Sequence, residues 1–289
     1  MGWAEAKVRD REAYQLDASN VEIYQTEEGY SRARPLPTKE ELKEFYINKY
    51  YQNGHGNYKD EYDVQKFNKI LYKLKRKAII ILSLFQKKPE NFLDIGCGQG
   101  YALKTFDANG WDVTGIDFSA HACSIHNPDM ADKIIEGDLY DILEGLGEYQ
   151  IVHMDNVLEH VLDPYKLLEL VRNVIKPDGI LIIDVPNENS VFHRYLQKQG
   201  LLKDMFERAY PDHLSFFNIE GLRNICKRAG FVEMFIGDFS QTVIHCAGED
   251  MVLDNYLNTL PISRALFHYR ASAELGFGNE MMGFFTVGS

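Results

Sequence analysis

The stretch Asn91–Gly100, NFLDIGCGQG, constrains this chain more than any other. Phe92, Leu93 and Ile95 make a short apolar run of buried-strand type, and Gly96, Gly98 and Gly100 break it at once. Glycine admits positive φ and lets the backbone approach a small molecule closely, while amides at the start of the following helix face the same spot. A strand that ends in such a turn belongs in an open α/β sheet, where ligands sit at the carboxyl ends of the strands.

The spacing narrows the ligand. Dinucleotide binders favour G-x-G-x-x-G, whereas here the third glycine comes one position early and Tyr101 stands where that fingerprint wants Gly or Ala. Asp94, two residues before the first glycine, would set a carboxylate beside phosphates; it suits an amino group instead. A second strand, Trp111–Phe118, ends in Asp117, roughly 20 residues past the loop, where a doubly wound sheet presents a carboxylate to a ribose diol. Gly137-Asp138-Leu139 closes a third short strand, Lys133–Glu136, and Asp138 can accept from an adenine amino group.

The succession D-I-G-C-G-Q-G, G-I-D-F, G-D-L, a strand running into L-E-H-V, and then K-P-D-G-I-L-I-I-D-V-P-N resembles the class I S-adenosylmethionine (SAM)-dependent methyltransferases. Within them it is most similar to the branch of ubiquinone-type O-methyltransferases and methyltransferases of sugars and secondary metabolites. The resemblance covers residues 64 to 239 well and both ends poorly. It implies a Rossmann-like sheet of seven strands, mostly parallel with an antiparallel last strand, helices on both faces and an N-terminal helical lid. Residues 1–63 are then the extension and lid, and 64–289 the SAM-binding domain, with acceptor-side insertions at about 190–215 and 241–278.

For the cofactor the resemblance implies that Asp94 and the backbone of Gly96, Cys97, Gly98 and Gly100 hold the methionine end. Asp117 would take the ribose hydroxyls, Phe118 and Leu139 the adenine faces and Asp138 the adenine amine, with Asn156 also at the cofactor. Asn156 lies in Asp155–Val161, the exit of the fourth strand, where relatives hold two glutamates and a histidine that suggest a divalent metal. Here Asn156 replaces the first glutamate, so no metal is expected and Glu159 is read as a helix-start or hydrogen-bonding residue. In the Tyr210–Phe217 segment, D-H-L-S-F-F, relatives place a histidine beside the substrate. His213 is therefore the first candidate for a base and His160 the second; the competing role for His213 is to shape a loop.

Other segments carry weaker signals. Thr38 and Glu41 spell a capping box before a helix over about 40–51, and Ser119 is a cap candidate for the helix after Asp117. Tyr46, Tyr50, Tyr51, Tyr58 and Tyr62, interleaved with glycines, suit a lid or a packing layer. Residues 64–85 read as a helix with Ile70, Leu74, Ala78, Ile81, Leu82 and Phe85 on the apolar side. Its lysines and Arg76 are read as a solvated face or a dock for an acidic partner. Phe192, Tyr195, Met205 and Phe206 are available for an acceptor wall, and the 241–278 insertion for the acceptor pocket or a homodimer contact.

The net charge of −12 argues against a nucleic-acid partner, which draws on phosphate neutralisation. No apolar run approaches a membrane span, and four widely spaced cysteines suggest reduced thiols, so a cytoplasmic protein is expected. The sequence thus favours transfer of a methyl group to a small-molecule acceptor, most readily a hydroxyl of a sugar, sugar nucleotide or related metabolite. N- or C-methylation, RNA or protein substrates, and a non-catalytic SAM- or NAD-binding module are the alternatives.

Overall fold

The computed structural model describes residues 21–50, 64–85, 89–187, 190–200, 210–238, 243–246, 249–252, 278 and 280–288. β1 (Glu22–Gln25) and β2 (Ser31–Arg34) form a hairpin, followed by α1 (Lys39–Tyr50) and α2 (Val64–Leu84). The alternating core then runs β3 (Asn91–Ile95), α3 (Tyr101–Asp107), β4 (Asp112–Asp117), α4 (His121–His126), β5 (Ile134–Glu136), α5 (Leu139–Leu143), β6 (Tyr149–Asp155), α6 (Pro164–Val174) and β7 (Ile175–Pro186). After it come α7 (Val191–Lys198), β8 (Ser215–Phe216), α8 (Ile219–Arg228), β9 (Phe231–Asp238), the ribbon β10 (Val243–Cys246) and β11 (Glu249–Val252), and β12 (Glu280–Val287).

Seven strands pair in the order β5-β4-β3-β6-β7-β12-β9, with β12 antiparallel to both neighbours and the other pairs parallel. Residues 180–185 are buried throughout, as in a central parallel strand covered on both faces. On one side α2 and α3 pack with Phe92, Ile151, Ile182 and Phe284; on the other α5, α6 and α8 pack with Leu93, Val152, Ile183 and Phe285. Phe106 joins the first layer by stacking on Trp111 at 4.7 Å between ring centres. Each such aromatic or aliphatic side chain contributes about 1.5–3 kcal/mol by leaving water.

Local signals place the helix starts. Glu41 N donates to Thr38 Oγ1 at 3.2 Å and Thr38 N to Glu41 Oε2 at 2.8 Å, completing the expected capping box. Asp163 caps α6 through the Lys166 amide, and Asn218 caps α8 through the Gly221 amide. For α4 the cap position is Ala120; Ser119 acts one residue earlier, accepting from the His121 amide at 3.1 Å. A second, three-stranded sheet orders β1-β2-β8, so the hairpin of the N-terminal segment pairs with the chain beyond β7. Tyr30 stacks on Phe217 beneath it, 4.6 Å between ring centres.

The reading of α2 as apolar on one side and solvated on the other needs correction. Leu82 is exposed at 47%, whereas Lys77 is 0% exposed and Arg76 is also buried. Lys73 and Lys77, one turn apart, face the sheet because four ionisable strand residues lie beneath them. The stretch from Tyr51 to Tyr62, Met205, Phe206 and residues 253–277 lie outside the described residues. Tyr195, expected on the acceptor wall, is 59% exposed. No helix among the described residues is long and apolar enough to cross a membrane.

Candidate active site

The glycine loop sits between β3 and α3 at the carboxyl edge of the sheet. Gly96, Gly98 and Gly100 have φ of 70°, 51° and 74°, the left-handed region that side chains resist. Gly96 N donates to Ile116 O at 2.8 Å and Gly98 N to Asp117 Oδ2 at 2.8 Å, so the end of β4 holds the loop from beside it. Asp117 Oδ1 accepts from the Ser119 amide at 3.3 Å. The Cys97 side chain is turned into the fold and is 8% exposed; a Cβ added at Gly115 of β4 would lie 2.7 Å from its Sγ. Burial, reinforced by the nearby Asp94 and Asp117 carboxylates, pushes its thiol far above the ordinary range. Only the backbone of Cys97 can therefore serve a ligand.

The other predicted cofactor residues stand along the same edge. Asp138 caps α5, accepting from Tyr140 N at 2.9 Å, and its second oxygen is 2.7 Å from Lys39 Nζ. Nothing in the sequence signals this partner, because Lys39 is the first residue of α1 and far away along the chain. Phe118 is 46% exposed, open to a flat ligand, whereas Leu139 is nearly covered at 9%. Asn156 is the one non-glycine residue with positive φ among those described, at 55°. Its amide donates to Asp184 O at 3.0 Å and its Nδ2 to Asp155 Oδ1 at 2.9 Å, and the two bonds hold a backbone conformation that asparagine tolerates better than most residues.

Beyond Asn156 the chain is a series of turns up to the cap of α6, so Glu159 does not begin a helix. Its side chain is buried at 0% exposure, and its carbonyl accepts from Leu214 N at 2.8 Å and Ser215 N at 3.0 Å. Those two bonds bring the D-H-L-S segment against the exit of β6. Thereby the two predicted histidines meet: His160 and His213 are 4.8 Å apart between ring centres, edge to face. His160 Nδ1 lies 2.6 Å from Asp212 O, a carbonyl that can only accept, so Nδ1 is the donor of that bond; Nε2 is 3.5 Å from Glu159 Oε1. Glu159, His160 and His213 each bring a donor atom within 4.8 Å of the others, a set able to hold a divalent cation.

One constellation was missed. His153 and Asp155 of β6, Asp184 of β7 and Asp94 of β3 share the face under α2, since Asp94 pairs with His153 and Asp155 with Asp184 in the parallel register. Lys77 Nζ lies 2.7 Å from Asp155 Oδ2, 2.6 Å from Asp184 Oδ2 and 2.7 Å from His153 Nε2. Lys73 Nζ adds Asp155 Oδ1 at 3.2 Å and Asp184 Oδ1 at 3.5 Å. Burial opposes ionisation of Asp155 and Asp184, yet the two ammonium groups hold both carboxyls below the ordinary range. His153, Asp155 and Asp184 have metal-ligand spacing, but the Lys77 ammonium already occupies the position of a cation among them. The sequence did carry a signal: ionisable residues inside strands covered on both faces require buried partners of opposite charge.

Residues 67–233 match the family model described as a methyltransferase domain. The chain belongs to that family. Curated relatives of this methyltransferase domain include the ubiquinone biosynthesis O-methyltransferases of Aromatoleum aromaticum and Vibrio parahaemolyticus, each 28% identical to it over 146 and 161 residues respectively. These alignments cover 48% of the chain and 62% of the first relative, and 53% of the chain and 67% of the second. A SAM-dependent methyltransferase structure from Thermotoga maritima has the same fold, with a TM-score of 0.50 at 17% identity over 75% of this chain and 89% of that one.

SAM is the methyl donor that this family assignment brings with it, and the donor set of the methyltransferase domain fits it. The strand ends present the carboxylates Asp94, Asp117 and Asp138 beside the loop, acceptors suited to amine and hydroxyl donors and opposed to phosphates.

Proposed function

We propose that the protein is a SAM-dependent O-methyltransferase acting on a small-molecule hydroxyl, with a sugar, a sugar nucleotide or a related metabolite as acceptor. One observation carries the reading: the positive-φ glycine loop tied to Asp117 stands at the same sheet edge as the loops that join His160 to His213. The printed names of the relatives, O-methyltransferases, support oxygen as the atom methylated.

Bound SAM would supply an electrophilic methyl on a sulfonium, already activated for in-line displacement. This chain's residues then have to bind, align and remove a proton. In this reading Asp117 accepts from the ribose hydroxyls, Asp138 from the adenine amine after Lys39 gives way, and Asp94 from the methionine ammonium. Phe118 and Leu139 cover the adenine. His213 takes the proton of the acceptor hydroxyl, and His160, with its Nδ1 proton fixed on Asp212 O, backs the His213 ring. Alignment and proton removal can each lower the barrier by several kcal/mol.

A second reading is favoured by the Glu159, His160 and His213 donors. They would hold a divalent ion, whose Lewis acidity would lower the acceptor hydroxyl's pKa.

The deciding experiment incubates the protein with SAM and a panel of hydroxylated metabolites and nucleotide sugars, and reads each acceptor by mass for one added methyl group. A parallel series in a chelator separates the two readings. No methylated product across oxygen, nitrogen and carbon acceptors, with no SAM binding, would overturn the proposal.

A further inference from the structure

The buried cluster under α2 contains more order than charge neutralisation demands. An ammonium has three N–H donors and no acceptor. Lys77 Nζ has three acceptors in reach, Asp155 Oδ2, Asp184 Oδ2 and His153 Nε2, all at 2.6 to 2.7 Å. Two N–H groups cannot face each other at 2.7 Å, so Nε2 of His153 presents its lone pair to Lys77. The ring proton is then on Nδ1, which lies 2.6 Å from Asp94 Oδ1. Asp94 and Asp184 favour a second ring proton, while burial and the Lys77 ammonium oppose it. On balance the ring is held above the ordinary histidine value, and the 2.7 Å approach of Nζ is the contact that keeps a proton off Nε2 while Lys77 is an ammonium.

We infer that His153 is a positioning residue for the cofactor: with its tautomer set by Lys77, it donates to Asp94 and fixes the orientation of that carboxylate toward the ammonium of the methionine end. The inference rests on the reading of Asp94 as the ligand of that ammonium. Lys73 and Lys77 are both engaged by Asp155 and Asp184, and Lys73 also by Glu280 at 3.7 Å, so the carboxylates around them outnumber the two ammonium groups. The imbalance falls on Asp94, which has the His153 imidazole as its donor and, among the described residues, no ammonium in contact. A carboxylate so placed is completed by a ligand cation. Helix α2 thereby acts on the cofactor site through two side chains, Lys77 and His153, without touching the ligand.

The test separates donor position from bulk. Asparagine can set its amide N–H near the place of Nδ1, whereas glutamine reaches the place of Nε2. His153→Asn therefore keeps a donor for Asp94, and His153→Gln keeps a partner for Lys77 alone. Calorimetric titration uses S-adenosylhomocysteine, which carries the ammonium, and methylthioadenosine, which shares adenine, ribose and sulfur but lacks the amino-acid end. In His153→Gln, S-adenosylhomocysteine should bind roughly tenfold or more weakly, the loss expected for one hydrogen bond to a charged group. Methylthioadenosine should bind as in the wild type, and His153→Asn should bind both nearly normally. Equal weakening of both compounds in either variant, or no weakening in His153→Gln, would overturn the inference alone. Wild-type protein that binds neither compound would overturn the cofactor reading and this inference with it.

Discussion

Gly96→Ala tests how tightly the glycine loop is built against the exit of β6. Gly96 has φ of 70°, and a left-handed conformation costs a residue with a Cβ about 1–2 kcal/mol. The added Cβ would also stand 2.5 Å from Val157 Cγ2, an overlap that costs about 1–3 kcal/mol to relieve. The single substitution should therefore destabilise by about 2–5 kcal/mol. Val157→Ala removes the offending carbon and its twin from a side chain 7% exposed, a loss of about 1–2 kcal/mol. In the double variant the nearest atom of residue 157 is its Cβ at 3.7 Å, an ordinary contact. The overlap disappears while the backbone cost stays, so the pair should be less destabilised than the sum of the singles by about 1–3 kcal/mol. Urea unfolding of the four proteins, at equal slopes, reads that coupling directly. Additive effects within about 0.5 kcal/mol would refute the claim that Val157 and the loop occupy each other's space.

The other expectations concern single groups. Asp117→Ala removes the acceptor of the Gly98 amide and the proposed ribose ligand together, so SAM affinity by calorimetry should fall at least tenfold, the value of about one hydrogen bond to a charged group. His213→Ala should leave SAM affinity intact and lower turnover about 100-fold or more, with wild-type turnover excluding it as the base. Asp155 and Asp184 have folded pKa values below their unfolded ones, so their contribution to stability is complete above the unfolded value, about pH 4, and is lost as pH falls further. The urea midpoint should hold down to about pH 5 and then drop, with little dependence on salt because the pairs are buried. Burial pushes the Cys123 thiol up to about 11 and those of Cys97 and Cys226 up as well. Peptide mapping after alkylation at pH 8 should find these three unmodified in the folded protein and modified in urea.

The carboxyl edge of the sheet was legible because its signals are local: a glycine turn, then acids at strand ends, at spacings set by one strand and one crossover. The antiparallel sense of the last strand, β12, followed from the resemblance, whereas its place between β7 and β9 did not. His160 and His213 were legible as candidates, and the bonds from Leu214 and Ser215 to the Glu159 carbonyl explain how they come together. Lys77 was not, since helical spacing alone assigns lysines to solvent; only the partners beneath it, contributed by two separate strands, make its burial possible. Lys39 was missed for a related reason, as the docking of α1 against the start of α5 leaves no periodic trace in either segment. Of the two roles read for Glu159, helix start and hydrogen-bonding residue, the first fails because Asp163 supplies the cap of the next helix.

The place of β12 in the sheet bears on how the protein is made. β12 is flanked by β7 and β9, both completed much earlier along the chain. During synthesis, β7 ends in an open edge and β9 has no neighbour in the large sheet until residues 280–287 have left the ribosome. The glycine loop, on the other side of β6, needs only strands already emerged and can form while the nascent chain still grows. Two exposed strand edges must meanwhile be kept from pairing with other chains, and the seven-residue zipper of Met281–Val287 against β9 closes them in one late step.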